Sequence, residues 1–127
     1  MRLVISFITG NSDMHLKNFS LIETAPGSGA YVLSAAYDLL PVNLLLPEDH
    51  EEFALTMNGK KANLRRNDFL YFAEQCSIAR TAAEKIIKKV LAAEEDYFNL
   101  CDESYLPQDM KDTLKELIHT RCARLKE

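Results

Sequence analysis

The chain has 127 residues, enough for one domain with one core, and its 47% hydrophobic and 27% charged content is an ordinary globular balance. Its 15 Lys+Arg against 19 Asp+Glu leave a formal charge of −4, which argues against nucleic-acid binding through bulk positive charge. Three cysteines with no CxxC pair argue against a disulfide framework or a structural zinc site, and the expected setting is reduced and cytoplasmic.

Residues 1–9 are apolar and read as the last turns of a buried helix that stops near Gly10 and Asn11. A short strand fits the same run, because periodicity alone does not separate the two. The segment opens without a capping residue, as a helix entered midway does. It is too short, and lacks a small-residue cleavage site, for a secretory signal. No stretch approaches the roughly 18 consecutive apolar residues of a membrane span, so no membrane partner is expected.

Residues 18–37 predict a β-hairpin, with Phe19–Glu23 leading into the turn cluster Ala25-Pro26-Gly27-Ser28-Gly29 and Tyr31–Ser34 returning. The proline-bracketed run Leu39–Pro47 predicts an extended or one-turn connector packed on the core. A second hairpin is expected at Phe53–Met57, turning through Asn58-Gly59. Asn67 is expected to cap a helix carrying Phe69, Leu70, Phe72, Ala73 and Cys76. Thr81-Ala82-Ala83-Glu84 has the form of a capping box opening one longer helix that runs to Tyr97 and Phe98. The last helix starts around Pro107, with Met110, Leu114, Leu117, Ile118, Cys122 and Leu125 on one face. No repeat, low-complexity segment or dividing linker is present, so residues 1–127 form a single domain.

The chemistry concentrates in Gly10-Asn11-Ser12-Asp13-Met14-His15-Leu16-Lys17-Asn18, followed by Tyr37-Asp38. So many polar side chains directly after an apolar helix suit a functional loop. Asp13 and Asn18 stand at the Asp-x-x-x-x-Asn interval of the protein-kinase catalytic loop, where Asp is the base and Asn binds magnesium. Magnesium takes oxygen ligands, usually one or two carboxylates with water and phosphate. If the hairpin turn is centred near Gly27, Asn18 falls opposite about residue 36 and Asp38 beside it. Taken singly, Asp13 is equally an Asx-turn residue and Asn18 a strand-entry residue.

Gly10–Ser20, Leu33–Pro41, Ala54–Lys61 and Asn67–Leu70 together closely resemble the C-terminal catalytic lobe of HipA-type serine/threonine protein kinases, the toxins of HipA/HipB toxin–antitoxin systems. The resemblance implies an α+β, mainly α-helical fold: a protein-kinase-like lobe with a catalytic loop, a β-hairpin and a C-terminal helical bundle. It implies Asp13 as the catalytic aspartate, with His15 and Lys17 orienting the loop or neutralising phosphate. It makes Asn18 and Asp38 the Mg2+ ligands and, through the metal, the ATP-binding residues. His15 reads equally well as a hydrogen-bonded structural histidine, and His50 and His119 match no motif. Lys60, Lys61, Arg65 and Arg66 form a basic cluster that reads as a solvated loop or a substrate contact.

Such a kinase also needs an N-terminal lobe with a glycine-rich loop and a lysine on the phosphates. None precedes Asp13 in this chain, whose glycines are Gly10, Gly27, Gly29 and Gly59. The expectation is a catalytic-lobe portion of a kinase, inactive without its partner lobe. The alternatives are a non-catalytic binding module contacting an antitoxin or another protein, and a truncated relic. Expected partners are the missing lobe, a HipB-type antitoxin and a protein substrate of the aminoacyl-tRNA synthetase or translation-factor class, with no direct nucleic-acid contact.

Overall fold

Arg2–Thr9 is the first helix (α1), and it buries Val4, Ser6, Phe7 and Ile8. It stops at Gly10, whose φ of 77° is the left-handed geometry of a helix C-terminus; the Gly10 N–H donates to Phe7 O and the Asn11 N–H to Ser6 O at 2.9 Å. The computed structural model describes all residues 1–127. After the loop come a 3-10 turn, Leu16–Asn18, and the strands β1 (Leu21–Glu23) and β2 (Tyr31–Leu33). The strands pair antiparallel, Leu21 with Leu33, Ile22 with Val32 and Glu23 with Tyr31. Five helices follow: α2 (Val42–Leu45), α3 (Arg66–Gln75), α4 (Arg80–Ala92), α5 (Glu94–Glu103) and α6 (Gln108–Lys126).

The longest of these, α6, packs against every other helix, so its apolar stripe organises the core. Leu114, Ile118, Cys122 and Leu125 are all buried from α6. Phe7, Phe53 and Phe69 meet there at centroid separations of 5.2 to 6.4 Å in tilted and edge-on arrangements. The molecule is thus mainly helical with one small antiparallel sheet, in agreement with the α+β expectation.

Several local expectations need correction. The second hairpin shrinks to one bridge, Met57 with Lys60, although Asn58 (φ 53°) and Gly59 (φ 77°) both adopt the left-handed backbone that a type I′ turn requires. The one sheet of the chain is β1–β2, so this bridge has no further strand to join. Asn67 does not cap α3; the helix starts at Arg66, two residues earlier than that cap implies, and the Asp68 carboxylate accepts the Arg65 N–H at 2.9 Å instead. Thr81 lies inside α4 rather than at its cap, and Glu84 sits 3.6 Å from Arg80 one turn away. The long helix breaks at Ala93, where φ −93° and ψ 13° leave helical geometry. Nothing about alanine breaks a helix; the break lets α5 turn onto α6, and the acidic run Glu94-Glu95-Asp96 suits a new N-terminus. The 39–47 connector contains the expected single turn, but only Leu44 is buried, while Leu39, Leu40, Leu45 and Leu46 face outward.

Candidate functional site

The candidate loop leaves α1 at Gly10, where two neighbours constrain it. The Gly10 carbonyl accepts the Asn43 N–H at 3.0 Å, and Ser12 Oγ donates to Asp49 at 3.3 Å. Asn43 in turn donates from Nδ2 to the carbonyls of Asp49 and Glu51, at 3.0 and 2.9 Å. Beneath this, the buried Arg121 of α6 donates to Phe7 O and, at 2.7 Å, to Asn43 Oδ1, with its guanidinium 5.1 Å from the Phe7 ring. Burial pulls Arg121 down to about 10, opposed by nearby Glu52 and reinforced by Arg124, so it remains charged at neutral pH. Arg124 pairs with Glu52 at 2.6 Å, and the other Glu52 oxygen accepts the Leu64 N–H at 2.8 Å. The loop is therefore anchored from below by a charged network that the apolar reading of α6 missed. Its sequence signal is an arginine at the register of Leu114, Ile118 and Leu125.

Above that base, Asn18 is almost buried, and its Nδ2 donates to the Asp13 carbonyl at 2.8 Å. An amide so fixed leaves Oδ1 as the free acceptor. The Asp13 carboxylate is exposed, with His15 Nε2 3.6 Å from it. His15 Nδ1 is buried without a partner in the chain. Lys17 is exposed; its carbonyl, rather than its amine, is engaged, accepting from the Tyr37 hydroxyl at 2.9 Å. Tyr37 also meets Ser20 Oγ at 2.6 Å, and Ser34 N–H donates to Ser20 O at 2.8 Å. Asn11, read from sequence as a terminator, is fully buried, and neither of its side-chain amide atoms has a partner in the chain.

The observed register continues from Leu21 opposite Leu33 to put Asn18 level with residue 36, two short of Asp38. The Tyr37 bond to Lys17 holds that end of the return strand onto the loop. Asp38 itself is exposed, with a left-handed φ of 53°, and makes no hydrogen bond or ion pair with Asp13, His15, Lys17 or Asn18. Left-handed backbone at a residue other than glycine is a local cost that sites carrying a special orientation tend to retain. No group of three or more His, Cys, Asp or Glu side chains converges to hold a metal. One amide oxygen and one carboxylate do match the sparse protein share of a magnesium shell completed by phosphate and water. Asp13 also lines an open groove with Ser12, Asp49, Glu51 and Leu45.

Of the basic cluster, only Lys61 reaches the groove beside Asp13, through its pair with Glu51. Lys60 pairs with Asp68 at 2.7 Å, Lys61 with Glu51 at 3.0 Å and Arg65 with Glu127 at 2.6 Å, while Arg66 donates to Leu125 O. These are surface ties between neighbouring segments. His119 sits 2.9 Å from Glu94, away from the loop. No helix is long and apolar enough to cross a membrane.

Comparison with known proteins agrees with the motif. Residues 1–97 match the model of the HipA-like C-terminal domain. A Haemophilus influenzae protein named "Putative kinase" is 25% identical over 140 aligned positions, covering 98% of this chain and 40% of its own length. A Sinorhizobium fredii protein named "Putative kinase Y4dM" is 37% identical over 79 positions, covering 61% of this chain and 19% of its own. The chain thus spans well under half the length of the curated relatives it matches. Gly10–Asn18, the hairpin and the helices through α4 all fall inside the matched range, and the chain belongs to the HipA-like C-terminal domain family.

Proposed function

We propose that this chain is the catalytic-lobe portion of a serine/threonine protein kinase that transfers the γ-phosphoryl group of ATP to a protein hydroxyl with Mg2+. The observation that carries the reading is the Asn18 amide, locked by Asp13 O so that Oδ1 is free, beside an exposed Asp13 carboxylate. Asp13 would accept the proton of the attacking hydroxyl as its oxygen bonds to the γ-phosphorus and the bond to the β-phosphate oxygen breaks. Asn18 Oδ1 and the Asp38 carboxylate would hold magnesium, which offsets the charge of the phosphates. His15 and Lys17 would orient the Asp13 loop and face phosphate with positive charge. The groove beside Asp13 would admit the hydroxyl-bearing segment. By the family resemblance, the substrate belongs to the aminoacyl-tRNA synthetase or translation-factor class, a HipB-type antitoxin is a partner, and the site of action is the cytoplasm.

Phosphoryl transfer depends on positioning and preorganised charge, so this half alone is expected to be inert. The test grafts the chain in place of the matched segment of the Haemophilus influenzae relative and measures magnesium-dependent transfer from labelled ATP to protein. Asp13→Ala in the graft should lower transfer at least about 100-fold. Transfer indifferent to Asp13→Ala would sink the assignment. The binding-module reading is favoured by the exposed apolar hairpin; it predicts partner association that survives loss of both Asp13 and Asp38 with no transfer in any form.

A further inference from the structure

Most cationic side chains of this chain are engaged, with one local exception. Of the 15 Lys and Arg side chains, only those of Lys17, Lys85, Lys88 and Lys89 make neither an ion pair nor a hydrogen bond. Lys17 belongs to the candidate loop. The other three are all exposed and lie in one short stretch of α4. With 19 Asp and Glu present for 15 cations, a shortage of acids does not account for this. Lys88 and Lys89 stand three and four residues after Lys85, so all three project from one side of the helix.

Lys85 and Lys88 line an open groove together with Arg66 from the start of α3 and Lys126 from the end of α6. Glu84 is the one acid in its lining, and it sits 3.6 Å from Arg80. Arg66 donates one N–H to Leu125 O, which leaves most of its guanidinium donors open. Lys126 is held by Glu94 at 2.7 Å. A groove with four cations and one acid therefore stands on a chain whose formal charge is −4. Like charges gathered round a concave surface repel one another, and a bound anion removes that cost. The lining runs along α4 from Thr81 to Leu91, about 15 Å of helix, which is the length of about four extended residues.

We infer that this groove docks an acidic segment of another polypeptide, a short stretch with about three Asp or Glu side chains to match the open cations Arg66, Lys85 and Lys88. Docking here holds whether or not the candidate loop transfers phosphate. Charge and length together select the occupant. A nucleic-acid interface typically neutralises about six to ten phosphates, and its strength comes from the counterions released. Four cations on a net acidic chain fall short of that, and the surrounding charge repels a long polyanion. A short acidic segment needs only the local field. Its carboxylates, about 7 Å apart at alternate positions of an extended stretch, can reach successive ammonium and guanidinium groups along the groove.

Titration of the full chain with an octaglutamate peptide, followed by amide NMR shifts, tests this. Shifts should concentrate on residues 81–91, Arg66 and Lys126, and affinity should fall about tenfold between about 20 and about 200 mM salt. Lys85→Gln combined with Lys88→Gln should weaken binding about tenfold. Glutamine keeps the helix propensity of lysine, so the α6 amides near Ile118 and Cys122 should hold their shifts in that variant. Lys111→Gln removes one charge at the far end of α6 and should leave the affinity unchanged. An octaglutamate that does not bind, or that shifts amides over the whole surface, overturns the inference. So does an octaglutamine peptide that binds as tightly. A short DNA duplex that binds the groove more tightly than octaglutamate would make nucleic acid the occupant and overturn it. Groove shifts that grow with the concentration of the chain alone would do the same in favour of a second copy.

Discussion

Gly10 meets two demands at one backbone position. Its φ of 77° is a conformation that side chains resist, and a Cβ there would lie 2.6 Å from Leu117 Cδ2 on α6. The Leu117 methyl can swing aside, but the backbone strain stays. Gly10→Ala should therefore lower unfolding free energy by about 2 kcal/mol, read from the urea midpoint. An unchanged midpoint would show that the loop leaves α1 by another path. The same position sets the path of the candidate loop, because the Gly10 carbonyl accepts the Asn43 N–H and Asp13 follows three residues on. Arg121 acts from the opposite side, giving Phe7 O a second donor and Asn43 Oδ1 the donor it would lack in an apolar core.

Between elements, α5 is fastened to α6 at both ends, by Asp102 with Lys115 and by Glu94. Glu94 at the start of α5 meets His119 at 2.9 Å and Lys126 at 2.7 Å, both on α6. Burial pushes its carboxyl up, but the hydrogen bonds from Lys126 and His119 outweigh that and hold it below its ordinary value of 4.5. A carboxyl lowered by folding contributes stability above its unfolded value, and that contribution fades as pH falls through the folded value. Both partners are exposed, so solvent screening limits the contribution of Glu94 to about 1 kcal/mol. Glu94→Gln should cost that amount at pH 7, and the gap to the parent should close towards pH 3 in urea titrations. A gap independent of pH would mean that the pair does not stabilise the charged form.

At the scale of the molecule, the helices make a closed core around α6 while the hairpin and the Leu39–Leu46 connector leave apolar side chains in water. That asymmetry puts the candidate loop at the border between the packed half and the open half. Asp13, Asn18 and Asp38 would touch only the phosphate end of a nucleotide, leaving base and sugar unheld. Calorimetric titration of the free chain at tens of micromolar should show no measurable Mg-ATP binding. Submicromolar affinity would mean that this half holds the nucleotide by itself.

The sequence alone determined what rests on short-range rules. The helix stop at Gly10 follows from glycine's access to positive φ, and the hairpin register from a turn centred on Gly27 and a side-chain period of two. The spacing and identity of Asp13 through Asn18 with Asp38 sufficed to point to the family, because an unusual string of side chains is legible without coordinates. Tertiary structure alone decided the rest. Ala93 breaks a helix that its own propensity would continue, because α5 gains more by packing on α6. Thr81 and Asn67 lose their capping roles because the helix starts were set by neighbouring segments. Arg121 enters the core because Phe7 O and Asn43 Oδ1, distant in sequence, converge on it. The exposure of the hairpin was equally invisible, since Leu, Ile and Val read as core until it is seen that no helix of the chain crosses them.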